Sequence, residues 1–153
     1  MGAESFDNVR PFPTNYQDDF IPLIEPGVYS MTLEYWQTAV FFGRSQKVVM
    51  WFRVLEMGQA FGKVIPRYYN VKRLTTKPKR NGGFAAGRSS DLVREYCLIH
   101  NKRPTRLDRV SLCHYQGVIV KGRVDTVSRD SRQSALPEAA RYSVVKELVG
   151  LEQ

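Results

Sequence analysis

The sequence predicts a mainly β fold, five strands curled into a small Greek-key barrel with one helix between the third and fourth strands. Three observations carry that expectation. Apolar residues recur at a period of two through most of the chain, helical spacing is clear in one stretch, and Gly, Pro and polar clusters separate the periodic segments. At 153 residues, with 42% hydrophobic and 25% charged residues, the chain fits one domain with a proper core.

Residues 1–26 read as an extended acidic arm, because Pro11, Pro13, Pro22 and Pro26 interrupt any regular element. The domain follows over residues 27–153. Its first strand opens at Pro26-Gly27, where Tyr29, Met31, Leu33 and Tyr35 alternate with Ser30, Thr32 and Glu34. The alternation changes phase from Trp36 to Phe42, as it does when a bulge bends a long strand around a curved sheet. Gly43-Arg44-Ser45-Gln46 turns the chain into a second strand, Lys47 to Leu55. Here Val48, Met50, Phe52 and Val54 form an apolar face, and Lys47, Trp51 and Arg53 share the other with Val49 and Leu55.

Gly58 to Val64 has the look of a phosphate-binding loop. It is one residue short between its glycines and has Val64 where the metal-binding Ser or Thr must stand, so it reads as a strand connection. A third strand is expected over Lys63–Leu74. Arg67, Tyr69 and Arg73 share one side of it and Tyr68, Asn70 and Lys72 the other, and the period does not choose between the two faces.

Thr75 to Gly87 reads as a loop. The helix follows, with Ser89 or Ser90 as N-cap, Asp91 in the first turn and Leu92, Val93, Tyr96 and Ile99 on one side. Asn101 to Pro104 ends it. A fourth strand is expected over Tyr115–Val127, with Val118, Val120, Gly122 and Val124 inward and Lys121 and Arg123 outward. Ser128–Pro137 is a polar loop, and Arg141–Val149 favours a fifth strand.

Charge narrows the function. The chain carries +8 overall, while Glu4, Asp7, Asp18, Asp19 and Glu25 against Arg10 give residues 1–26 a net of −4, which leaves +12 for the remainder. From Lys63 to Arg88 eight basic residues occur without an acidic one. Such unrelieved charge favours a polyanionic partner. Binding a single nucleic-acid strand needs cations along the phosphates and flat rings for the bases. The expected phosphate contacts are Arg53, Arg67, Lys72, Arg73, Lys77, Lys79, Arg80, Lys121 and Arg123. The expected stacking rings are Trp51 and Tyr69, with Tyr68 and Phe84 as further rings.

Other chemistries have little support. The carboxylates of the body are scattered and no Ser or Cys sits in a nucleophile motif, so no enzyme activity is expected. Cys97, His100, Cys113 and His114 are zinc-ligand types, but they lack a paired short spacing at both ends, so neither metal nor cofactor is expected. Two cysteines are too few for a disulfide framework, and with neither an export signal nor a bilayer-length apolar run the expected location is cytoplasmic, off the membrane.

The order of strands and helix, with aromatic and basic residues on the second and third strands, resembles the OB-fold single-stranded DNA-binding proteins of bacteria, phages and mobile elements. That resemblance spans residues 27–149 in element order. It implies a non-enzymatic single-stranded DNA-binding protein acting in replication, recombination or transfer of DNA, through the second and third strands and two flanking loops. Asp18-Asp19-Phe20-Ile21-Pro22-Leu23 resembles the acidic, apolar tip with which bacterial members recruit protein partners, whereas by residue chemistry Phe20, Ile21, Leu23 and Ile24 pack the arm onto the domain. Two alternatives stay open, an RNA-binding barrel and a protein-interaction module whose basic face meets an acidic surface. A homo-oligomer is compatible with the chain.

Overall fold

The computed structural model describes residues 21–130 and 132–152. Within them the chain runs β1 (Gly27–Phe41), β2 (Ser45–Val54), β3 (Val64–Asn70), β4 (Arg73–Leu74), β5 (Phe84–Ala85), α1 (Asp91–His100), β6 (Ile119–Val127) and β7 (Tyr142–Leu151). The five long strands form one antiparallel sheet in the order β3-β2-β1-β6-β7, and β4 and β5 make a separate small ribbon. The fold is mainly β, with its helix between the third and fourth long strands.

β1 holds the sheet together because it pairs twice, through Gly27–Thr32 with β6 and through Met31–Phe41 with β2. The phase change in its sequence has a structural cause. The pairing with β2 shifts between Leu33 and Tyr35, so Glu34 is the extra residue of a bulge. One side of the sheet then carries Met31, Met50, Phe52, Ile65 and Val120 into the core. Against them α1 turns Leu92, Val93, Tyr96 and Ile99, the face expected from helical spacing. Ser90 caps the helix by accepting from Val93 N, and Asn101 ends it in the left-handed region with its N–H on Cys97 O. The helix packs on both edge strands, β3 and β7, which run close to each other.

The third strand is shorter than Lys63–Leu74. β3 stops at Asn70, after which Val71 N donates to Gln46 O (3.2 Å) and Leu74 N to Gln46 Oε1 (2.7 Å). Arg73–Leu74 then pairs with Phe84–Ala85 inside the stretch expected to be a loop. The fourth long strand begins at Ile119 rather than Tyr115, because Cys113–Tyr115 is a 3-10 turn and Gly117 takes φ +74°. The last element is a strand.

Before β1, Ser143 of β7 ties down the entering chain, donating N–H to Pro22 O (3.0 Å) while its Oγ accepts from Ile24 N (2.8 Å). Ile24 enters the core and Leu23 is half exposed. The rest of the acidic arm, with Glu4, Asp7, Asp18, Asp19 and Phe20, lies outside the described residues.

The loop before β5 is pinned alongside β1. Thr38 N donates to Lys79 O (3.0 Å), Asn81 N to Trp36 O (2.7 Å) and Trp36 Nε1 to Gly82 O (3.0 Å). Gly82 permits this approach, since a Cβ there would collide with Thr38 Oγ1 and press on the Lys79 carbonyl at 3.1 Å. Gly82→Ala is expected to cost about 1–3 kcal/mol, the usual penalty for overpacking, read as a lower urea midpoint at unchanged slope.

Candidate nucleic-acid interface

The side of the sheet opposite the core, over β1, β2 and β3, is built from three cross-strand rows. They are Tyr35-Trp51-Pro66, Gln37-Val49-Tyr68 and Ala39-Lys47-Asn70. Trp51 and Arg53 therefore share this outer face, as alternation along β2 requires. Arg80 joins it from the pinned loop, with its guanidinium 4.0 Å from the centre of the Tyr35 ring. Trp51 Nε1 is buried without a hydrogen-bond partner among the described residues. Burial raises the Tyr35 phenol above its ordinary pKa.

At the β1–β2 end, the outer face opens into a groove of about 770 Å³. It is lined by Phe41, Phe42, Lys47 and Tyr68, by Arg129, Leu136 and Arg141 of the β6–β7 connection, and by Tyr142 at the start of β7. The Phe41 ring stands edge-on to Tyr68 at 5.9 Å and to Phe42 at 6.4 Å, and Lys47 Nζ lies 5.9 Å over Phe41. The groove also carries Asp130 and Glu138. Asp130 Oδ1 is occupied by the N–H groups of Arg132 and Ser134, each at 2.9 Å. Lys47 donates to Asn70 Oδ1 (2.5 Å), Arg129 to Gln133 O (2.9 Å) and Arg141 Nε to Leu136 O (3.4 Å), contacts that hold the three cations without neutralising them.

Phe42 is the unusual member. Arg44 N donates to Phe41 O (3.1 Å), and the two residues between have φ +56° (Phe42) and +78° (Gly43), the signature of a type I′ hairpin turn. Asn or Gly normally takes the first of these positions, since left-handed backbone costs other L-residues about 1–2 kcal/mol. A phenylalanine stands there instead, 80% exposed.

Four of the expected contacts are inside the molecule. Trp51 is fully buried at the centre of the sheet, 6.5 Å from Tyr35 ring to ring, and as placed offers no free ring face. Tyr69 and Arg67 point to the core side of β3 and meet Glu95 of α1. Their pairing settles which face of β3 looks inward, and burial pushes the Tyr69 phenol well above its ordinary pKa. Phe84, too, is in the core.

The remaining cations scatter. Arg53 Nε and Nη2 chelate Glu34 at 2.8 and 3.1 Å, and this bond holds the Glu34 carboxyl below its ordinary pKa. Lys77 and Lys79 are exposed on the pinned loop, and Lys72 and Arg73 are exposed just past β3. Lys121 and Arg123 do point outward from β6, but they face Glu152 (3.9 Å) and Glu147 (2.9 Å). The groove thus draws chiefly on Phe41, Phe42, Tyr142, Arg129 and Arg141, which sequence reasoning did not select. Two phenylalanines running straight into the expected Gly43–Gln46 turn, where polar residues are the rule, are the signal that marks Phe41 and Phe42; no local signal marks Tyr142, Arg129 and Arg141.

The zinc-ligand types do not assemble. His100 lies between Tyr96 and Tyr115, its ring 4.4 Å from each, tilted to the first and edge-on to the second, and His114 Nδ1 shares a 2.9 Å hydrogen bond with Tyr96 Oη. Among the described residues no three His, Cys, Asp or Glu side chains converge on a metal position, and no helix is long and apolar enough to cross a membrane. Comparison of the chain with protein-family models, with curated proteins and with solved structures finds no match.

Proposed function

We propose that this protein binds a single nucleic-acid strand without catalysis, through an OB-like barrel whose outer β1–β2–β3 face and β6–β7 connection form the binding groove. The exposed, left-handed Phe42 carries the reading. Strain of that kind persists where the surroundings enforce it and is concentrated at ligand clamps. Around it stand rings able to stack bases and three cations able to meet phosphate. Connectivity supports the barrel. β1 lies between β2 and β6, the last strand returns beside the third, and α1 spans that junction, as in an OB-fold.

The test is a titration of the full chain with dT oligomers at several salt concentrations. Binding is expected at about 50 mM salt, with log K falling against log salt at a slope near −2, about 0.7 for each of three phosphates. Absence of binding at that salt would falsify the proposal. Competition between matched DNA and RNA strands assigns the sugar, since the 2′-hydroxyl is what separates them. A DNA preference fits a role in replication, recombination or transfer of DNA.

A further inference from the structure

A second surface, separate from the aromatic groove, gathers Lys72, Arg73, Arg88 and Arg103. Lys72, Arg73 and Arg88 line one depression of about 320 Å³, and Arg88 and Arg103 line a second of about 680 Å³, the two sharing Arg88 and Leu107. All four cations are exposed, and none is ion-paired among the described residues. The lining contains one carboxylate, Asp108, and Arg106 already holds both its oxygens, at 3.0 and 2.7 Å.

The backbone under these cations is fixed. Arg73 pairs with Ala85, Lys72 N donates to Ala85 O (2.9 Å), and Ala86 N to Leu107 O (2.9 Å). Ser90 Oγ closes the Arg88 loop onto Gly87 O (2.8 Å). The backbone carrying Lys72, Arg73 and Arg88 is thus set along one path, which keeps like charges close where mutual repulsion would otherwise spread them. No aromatic side chain lines either depression. The surface can meet phosphates and offers no aromatic ring on which to stack a base, which suits a backbone whose bases are already paired. It adjoins the aromatic groove, because Val71 and Leu74 both bond to Gln46, next to Lys47.

We infer that Lys72, Arg73, Arg88 and Arg103 form a docking surface for the sugar-phosphate backbone of duplex nucleic acid, so that the protein holds the boundary between a single strand and a duplex. The junction rests on the single-strand reading; the duplex surface does not.

Anisotropy titrations of the full chain with a dT oligomer, a blunt duplex and a duplex bearing a dT tail test it. The tailed duplex is expected to bind about a hundredfold tighter than the dT oligomer, the low end of what linking two sites gives. The double variant Arg88→Glu, Arg103→Glu should bring the tailed duplex down to the dT level and lower its salt slope by about 2, at roughly 0.9 per duplex phosphate. Affinity for dT alone should stay within about twofold, as for independent sites. The inference is overturned if the variant weakens dT as much as the tailed duplex, since the groove would then merely extend the single-strand path. It is equally overturned if wild type gains nothing from the duplex. Should the reversal disturb folding by circular dichroism, Arg88→Gln with Arg103→Gln repeats the comparison with the same criteria. Duplex binding that is lost in the variant, with no dT binding by wild type, would keep this surface and discard the single-strand groove.

Discussion

Replacing Glu95 with alanine will remove about 3–5 kcal/mol of folding stability, the usual cost of breaking a buried ion pair from one side. Glu95 is wholly buried on α1 and accepts four hydrogen bonds. Arg67 Nε and Nη2 of β3 reach it at 3.2 and 2.7 Å, Tyr69 Oη of the same strand at 2.6 Å, and Leu148 N of β7 at 3.1 Å. One carboxylate therefore joins the two edge strands to the helix that packs on both. Truncation leaves the Arg67 guanidinium, 10% exposed, without its counter-charge and strands a buried hydroxyl and a buried backbone N–H. Against a total of roughly 5–15 kcal/mol, such a loss approaches unfolding at ambient temperature.

Urea denaturation followed by circular dichroism measures it. A pair of controls isolates the mechanism. Arg67→Met combined with Glu95→Leu removes both charges at once, and apolar replacement of a buried pair is often neutral or stabilising, so the double variant should recover most of the loss. A double variant as unstable as Glu95→Ala would mean that the hydrogen bonds to Tyr69 and Leu148, rather than charge pairing, hold the seam.

Glu95 also explains why part of the site was illegible in the sequence. Arg67 and Tyr69 looked like surface contacts because strand period cannot tell which side of β3 is wet. Their partner is 28 and 26 residues away on another element, and no local pattern reports it. Lys121 and Arg123 failed differently. Their outward direction followed correctly from the alternation of β6, but the β7 carboxylates opposite them depend on strand pairing. By contrast a phase change in β1, the apolar back of β2 and a serine cap at Ser89 or Ser90 were visible, because each is set by residues adjacent in sequence, although the bulge falls at Glu34, ahead of the expected Trp36–Phe42 stretch, and so turns Tyr35 to the outer face. The burial of Trp51 lay between these cases: alternation assigned its face, and only the folded arrangement sets how much of that face is open.

Changing Phe42 to asparagine should raise stability and lower nucleic-acid affinity together. The stability gain comes from the backbone. Phe42 is held at φ +56° ahead of Gly43, where Asn-Gly is the pair most favoured for a type I′ turn, so relief of the left-handed penalty should return about 1 kcal/mol. Little packing is lost in exchange, because the ring is 80% exposed and its ring contact with Phe41 is edge-on. Thermal unfolding should move up by about 2–4 °C for a chain of this size. In the same protein, dT affinity should fall about 5- to 150-fold, corresponding to one lost base stack at roughly 1–3 kcal/mol. The opposite signs discriminate between roles. A ring kept for packing would lower stability when removed and leave oligonucleotide binding alone, whereas a ring kept for a ligand is paid for in the free protein and recovered in the complex. A less stable variant with unchanged dT affinity would move the binding site away from the β1–β2 turn altogether.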